Sequence, residues 1–333
     1  METRKVQLTG SSSYVVTLPK EWITSQRINK NDPVRIITRA DGTLLILPAE
    51  KEDAVYNVKE FSVDEIDDPV YLFRLLVSAY INGYSVITIK SKNRIESFAR
   101  ECAIRFTQTA IGPEIIEESI NSITMKDLLN PVEMPMDKTI KRMHILARTM
   151  HEDAINALNK KDKLLVQDIE PRDRDVDRLH WLISRQFNII LRNIAMTDKM
   201  KVTGEEATYL FLISRLVERI GDHAVKIAKN VRLLVETPPS GEITKMIAQA
   251  SDKSLEIFSS TMDALTARDM KAANKNIEAI NDLVLLCEKI NNEALNINDV
   301  SSIYISYIAE SIRRTGEYSA DISELLLNYL VKE

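Results

Sequence analysis

Glycine is scarce in this chain, at 8 of 333 residues. That scarcity argues against a turn-rich β protein and fits long uninterrupted helices. Cysteine is rarer still: Cys102 and Cys287 are the only two. Both fall inside helix-like patterns, so they exclude a disulfide or zinc-thiolate framework. They read instead as small buried apolar residues in a reducing compartment. No apolar run approaches the roughly 18 residues of a membrane span. The opening Met-Glu-Thr-Arg-Lys is followed by no apolar signal-peptide core, and the expectation is a cytoplasmic protein. An excess of positive charge is missing too. The net charge is −5, so nucleic acid is not bound along the whole surface and any such role must be local.

What the chain does contain is an ordinary globular balance, 44% apolar and 28% charged, over a length that suggests two or three domains. Residues 1–50 differ from the rest. Lys5-Val-Gln-Leu8 and Tyr14-Val-Val-Thr-Leu18 are short β-type runs around a Gly10-Ser-Ser-Ser13 turn. Pro19-Lys-Glu-Trp-Ile-Thr24 suits a short helix with proline at its start. Val34-Arg-Ile-Ile-Thr38 and Thr43-Leu-Leu-Ile-Leu47 flank Ala40-Asp41-Gly42, a hairpin signal. Fifty such residues bury too little to stand alone, so this piece is expected to pair with a copy of itself. Its seven Lys/Arg exceed its five acids, giving +2 and leaving −7 for the remainder.

Residues 51–133 read as β-α-β-α-β-β, a small two-layer α+β domain. Its helices are expected from Asp67-Asp-Pro69 to Ile81 and over residues 95–109, and a hairpin is expected around Ile120-Asn121. It carries no Gly-rich phosphate loop, no His/Cys cluster and no nucleophile motif, and reads as a spacer, with small-ligand sensing as the alternative. Asn130-Pro-Val-Glu-Met-Pro135 is a linker. Beyond it the periodicity is wholly helical. Helices are expected over residues 136–160, 166–193 and 204–235, then over 243–267, 271–295 and 301 onward. Two successive groups of three imply two antiparallel three-helix bundles, at residues 136–236 and 242–333.

The third helix holds Glu218-Arg-Ile-Gly-Asp222-His-Ala. Ile213, Leu216, Ile220, Ala224, Ile227, Val231 and Leu234 form its apolar stripe, and Glu218 and Asp222 sit one turn apart on a face away from it. The last helix echoes this motif: Arg314-Thr-Gly-Glu-Tyr-Ser-Ala-Asp-Ile322 aligns with Arg219-Ile-Gly-Asp-His-Ala-Val-Lys-Ile227. Asp222 then matches Glu317, whereas Glu218 matches Arg313, which cannot ligate a cation. Two carboxylates on one helix do not complete a coordination sphere. The second helix offers Asp173, Asp175 and Asp177, the first and last again one turn apart. Carboxylates without His or Cys suit hard cations. The bland alternative is a charge ladder, because Arg172, Arg174 and Arg178 interleave with these acids and Arg215, Lys226 and Lys229 flank the pair. His144, His151, His180 and His223 form no i,i+4 pair and read as packing or interhelical hydrogen-bond residues. Met143, Met150 and Met196 read as core filler.

Two resemblances sharpen this reading. The run from Arg4-Lys-Val-Gln-Leu through Leu18-Pro-Lys20 to Asp41-Gly-Thr-Leu-Leu-Ile-Leu-Pro48 closely resembles the SpoVT/AbrB family of swapped-hairpin β-barrel dimers, many of them DNA-binding. The resemblance implies DNA contacts by Arg4, Lys5, Lys20 and Arg27. The repeated Glu218-x-x-x-Asp222 pattern is similar to the PhoU family, whose members are twin three-helix bundles with an acid-x-x-x-Asp motif on the third helix of each. That resemblance covers roughly residues 136–333 and is clearer in the first half. It implies iron, zinc, magnesium or manganese on Glu218 and Asp222, with Glu317 as the weaker second site; Asp173 and Asp177 are the partners expected from the second helix. It also implies negative control of high-affinity phosphate transport through a transporter component or signalling protein. The expectation is a mainly α, non-enzymatic homodimer: tandem three-helix bundles behind a small swapped-hairpin β-barrel unit and an α+β domain, binding DNA through the N-terminal dimer. The competing readings are a transporter adaptor that does not touch DNA and, ranked last, a carboxylate-metal hydrolase.

Overall fold

Long helices dominate the computed structural model, which describes residues 2–38, 42–48, 57–193 and 195–331. The chain divides into two units, Met1–Val55 and Tyr56–Glu333. The first holds two separate antiparallel hairpins. β1 (Gln7–Thr9) pairs with β2 (Ser13–Val15). After the short helix α1 (Lys20–Ser25), β3 (Val34–Thr38) pairs with β4 (Leu44–Pro48), with Ile36 opposite Ile46. The Ala40-Asp41 part of the expected turn lies outside the described residues. Within one chain the hairpins leave Val6, Leu8, Tyr14, Val16, Ile36 and Leu44 exposed.

The second unit begins with a four-stranded sheet. β5 (Val58–Ser62) leads through α2 (Pro69–Ile81) to the parallel strand β6 (Val86–Lys90). α3 (Ser97–Thr109) follows, then the hairpin β7 (Pro113–Glu118) and β8 (Ser122–Asp127). The sheet order is β5-β6-β8-β7. α2 starts where the notation of its sequence places it: the Asp68 carboxylate accepts from the Val70 amide at 2.7 Å, and Pro69 occupies the first turn. Leu72, Leu76, Tyr80 and Phe106 from the helices meet Ile87, Ile89, Ile123 and Met125 from the strands in one buried core.

Among the described residues the nine remaining helices follow in two groups after a linker. The first comprises α4 (Met136–Lys160), α5 (Lys163–Gln167), α6 (Ile169–Arg192), α7 (Ala195–Met200) and α8 (Gly204–Leu234). The second comprises α9 (Gly241–Ala267), α10 (Met270–Glu278), α11 (Ile280–Ala294) and α12 (Ser301–Leu330). The helix expected over residues 166–193 is broken at Asp168. Pro171 is the reason: it lacks the amide that would bond the Gln167 carbonyl, so it is accommodated only in the first turn of a restarted helix. The third helix starts at a capping box, where Thr203 accepts from the Glu206 amide at 3.0 Å. Helices α4 and α9 both end on a left-handed residue, Lys161 and Arg268. The short helix α7 and the division of the fifth long helix at Ala279 were not foreseen; no proline or glycine marks either place.

The two bundles share a continuous core, from Met143 and Met150 on α4 through Ile220 and Ile227 on α8 to Phe258, Leu283 and Ile312 in the second bundle. α8 packs on α12. A buried hydrogen bond of 3.1 Å between His151 Nε2 and Ser251 Oγ joins α4 to α9. Small polar residues line the α9–α12 seam: Ser254 donates to the Ile312 carbonyl and Thr261 to the Ser319 carbonyl. The sheet layer is tied to α6 by a buried cation. Arg185 donates to the Tyr80 and Tyr84 carbonyls at 2.6 and 2.9 Å and pairs with Asp127 at 2.8 Å.

Candidate functional site

The apolar stripe of α8 is buried as its spacing requires, with Ile213, Ile220, Ala224 and Ile227 inside the core. The acidic face is not a free outer surface, however. Gly221 lies between Glu218 and Asp222 and faces α6. A Cβ there would stand 3.2 Å from Asp173 Oδ1 and 3.5 Å from Val176 Cγ1. The missing side chain therefore admits α6 closely and closes the acidic face into a groove. Asp173, Asp177 and Glu218 are half-buried in it, and Asp222 lies at its exposed edge.

The structure thus brings four of the expected carboxylates together from two helices. Burial, reinforced by Asp177, Asp222 and Glu218, pushes the Asp173 carboxyl up to about 7. Burial and Asp222 push Asp177 up to about 6. Burial, Asp222 and Asp177 raise Glu218 to about 7, against the opposing pull of Arg215 and Arg219. The interleaved cations are engaged elsewhere. Arg172 pairs with Asp153 at 2.7 Å and with Asp168 at 3.2 Å. Arg178 pairs with Asp175 at 3.3 Å, and Lys229 with Glu170 at 3.2 Å. Arg219 lies over the Tyr318 ring of α12. Among the described residues none of the four carboxylates forms an ion pair, so the interleaved sequence does not become a charge ladder in space. Equally, among the described residues no three His, Cys, Asp or Glu side chains are gathered tightly enough to hold one ion as they stand.

Glu317 is placed apart from this group. It is bound by Arg313 at 2.5 Å and by Arg314 at 3.0 Å. Both arginines also hold Glu310. Burial raises that carboxyl, but the two guanidinium groups outweigh it and keep it below its usual range. Gly316 occupies the place of Gly221, and a Cβ there would meet Ile280 and collide with Leu283. Matching the two glycines through their neighbours sets Ile280 and Val284 in the positions of Asp173 and Asp177. One carboxylate of four survives in the second bundle. Sequence reasoning missed this loss on the middle helix; aligning the bundles on the glycine contacts reveals it.

The four histidines are all withdrawn from the acids. Burial lowers His144, His180 and His223 to about 4 and His151 to about 3. His180 Nδ1 shares a 3.0 Å hydrogen bond with Ser214, and His144 packs edge-on against Phe258. Cys102 and Cys287 are buried, and burial pushes the Cys287 thiol up to about 12, so neither is a ready thiolate ligand. Of the expected DNA-facing residues, Lys5, Lys20 and Arg27 are exposed. Arg4 donates to Glu2 at 2.9 Å and to Thr17 at 3.0 Å. No helix among the described residues is long and apolar enough to cross a membrane.

Fold and groove together define a twin three-helix-bundle protein with a four-carboxylate groove in its first bundle. Residues 140–231 match the family described as PhoU domain, and residues 7–54 match the family described as antidote-toxin recognition MazE, bacterial antitoxin. The chain accordingly carries a PhoU domain in its first bundle and a MazE/AbrB-like segment at its N-terminus. It is 27% identical over 199 residues to a phosphate-specific transport system accessory protein PhoU homolog of Clostridium acetobutylicum, covering 57% of this chain and 88% of that one. A Caulobacter vibrioides protein of the same description is 24% identical over 195 residues, covering 56% and 83%. The crystal structure of PhoU from Pseudomonas aeruginosa superposes with a TM-score of 0.53 at 20% identity, covering 59% of this chain and 95% of that one. The Streptococcus pneumoniae phosphate transport system regulatory protein PhoU gives 0.50 at 19% identity, covering 60% and 94%. These structures share the helical-bundle fold.

Proposed function

We propose that this protein is a non-catalytic, cytoplasmic regulator of phosphate uptake that restrains high-affinity phosphate transport and holds a cation on the first bundle. The observation that carries the reading is the coincidence of the PhoU-domain match with four carboxylates that form no ion pair among the described residues. The donor set fits a hard cation: it is all oxygen, and its mutual repulsion is what a bound cation relieves. Asp173, Asp177, Glu218 and Asp222 would hold the ion, and the ion would supply positive charge that offsets their mutual repulsion. Glu317, neutralised by arginines, is a poor second site. The relatives' description as transport accessory proteins supports the physiological role.

The N-terminal unit supports the remaining part of the proposal. Its exposed apolar strand faces suit pairing with a second copy, and the doubled Arg4, Lys5, Lys20 and Arg27 would face DNA. Partner or cation state at the bundles would then bias the DNA-bound dimer.

Phosphate uptake by cells with and without the chain tests the role. Faster uptake in phosphate-replete medium on its removal is expected, and unchanged uptake overturns the reading. Elemental analysis of the purified protein tests the cation. Metal is expected in the native chain and lost from the Glu218→Gln/Asp222→Asn variant. A gel shift tests the DNA contact: salt-sensitive binding abolished by Arg4→Ala/Lys5→Ala is expected. Its absence would leave the protein an adaptor on the transporter.

A further inference from the structure

A cavity of about 460 Å³ opens at one end of the seam between the two bundles and is lined by none of the four carboxylates. Its walls come from the start of α4, the first turns of α8 and the last turns of α9 and α12. Met136, Ile140, Leu210, Ile213, Met262 and Leu326 form a buried apolar floor. Lys138, Lys141 and Lys201 stand exposed at the rim, together with Arg268. Two acids share the rim. Glu206 is paired with Arg268 at 3.4 Å, and Asp137 lies in the first turn of α4, where the positive end of the helix offsets it. The rim is therefore net positive over an apolar interior.

We propose that this cavity binds a single-chain anionic amphiphile, with its hydrocarbon chain on the floor and its carboxylate or phosphate head at the lysines. Three features select that occupant. The volume lies in the range of small-molecule sites, and the cavity is a pocket rather than a long groove for a protein helix. Three methionines, Met136, Met200 and Met262, line it; their flexible thioethers adapt to an unbranched chain better than to a rigid ring. The charge is confined to the mouth, matching a ligand charged at one end only. The Tyr209 and Tyr329 rings pack at a 49° tilt with centroids 5.1 Å apart on one wall, and Arg268 donates to the Tyr329 hydroxyl at 3.3 Å, which holds that wall in place. The site is independent of the cation reading, since it uses none of the four carboxylates.

Isothermal titration of the full chain below micellar concentrations tests it, with octanoate, decanoate, decyl phosphate, 1-decanol and inorganic phosphate as probes. One-to-one binding is expected, tightening about 4-fold for each methylene added between octanoate and decanoate. Decanol should bind about 10-fold more weakly than decanoate, because it lacks the charge-assisted contact. Lys138→Gln/Lys141→Gln, both exposed and harmless to folding, should weaken decanoate about 10-fold and leave decanol unchanged. Leu265→Trp, which fills the cavity, should abolish binding of both. A tighter decyl phosphate assigns the head to phosphate, and a tighter decanoate to carboxylate. Absence of saturable binding of both decanoate and decyl phosphate overturns the proposal. So does binding that the lysine substitutions do not weaken, or several ligands per chain bound equally by Leu265→Trp, which would mark adsorption on exposed apolar surface.

Discussion

Glu218 carries a conflict between stability and use. Its proton affinity is raised by burial and by Asp222 and Asp177, so at neutral pH the fold tolerates a charge it would be more stable without. Glu218→Gln is expected to stabilise the cation-free protein by about 1 kcal/mol at pH 8, after discounting for solvent screening at this half-buried site. Urea unfolding in chelator measures it, and a destabilised variant would refute the repulsion. The two motif glycines make a sharper contrast. Gly316→Ala drives a Cβ into the fully buried Leu283 and should cost about 1–3 kcal/mol. Gly221→Ala meets the half-buried Asp173 carboxylate at 3.2 Å and makes only an ordinary contact with Val176 at 3.5 Å. The gain in helix propensity, about 1 kcal/mol, should leave stability near native while weakening cation uptake. Thermal melts and metal analysis of both variants separate the outcomes. The motif residues themselves were legible in sequence. That their neighbouring cations pair elsewhere was not, because Arg172, Arg178 and Lys229 reach other acids on either their own helix or a neighbouring one, and adjacency along the chain does not encode that choice.

Helix α6 serves two neighbours. Its N-terminal half supplies Asp173 and Asp177, and its C-terminal half presents Trp181, Arg185 and Gln186 to the sheet layer and linker. Arg185→Ala would strand Asp127 as a buried unpaired charge and remove donors from two carbonyls. A loss of about 3–5 kcal/mol is expected in urea unfolding. Replacing both partners, as Arg185→Met/Asp127→Leu, should recover much of it; an equal loss in the double variant would show that the carbonyl contacts dominate. Nothing in the sequence singled out Arg185, which looked like one more charge on an amphipathic helix. Its partners lie about a hundred positions away, at Tyr80 and Tyr84. The helices themselves were largely legible, since α4 and α8 follow from periodicity and capping residues. The break before α6 was legible too, in Pro171, and was passed over.

Across the whole molecule, two sets of buried titratable groups pull in opposite directions with pH. The histidines are depressed to about 3–4, so below the ordinary value of 6.5 the unfolded chain binds more protons and stability falls as pH drops. Asp173 and Glu218 are raised to about 7, so the folded chain binds more protons above their ordinary values. Stability then falls as pH rises through 7. Between about pH 4 and 6.5 the two sets offset one another; above 6.5 only the carboxylates act. Thermal midpoints in chelator should decline from pH 6.5 to 8. Asp173→Asn/Asp177→Asn/Glu218→Gln should remove that decline and leave the loss at acid pH. Persistence of the decline in the triple variant would assign it to other groups.

Periodicity, capping and turn residues are local quantities, and they suffice for the order of the long elements, the duplicated bundles and the difference between Glu218/Asp222 and Arg313/Glu317. Those features depend on residues within a few turns of one another. The close approach of α6 at Gly221, the replacement of Asp173 and Asp177 by Ile280 and Val284, the Arg185 latch and the cavity at the bundle seam belong to the tertiary structure alone. Each depends on which side chains from distant helices share one space. Packing settles that choice, because burial is non-directional along the chain and is decided only once the helices have met.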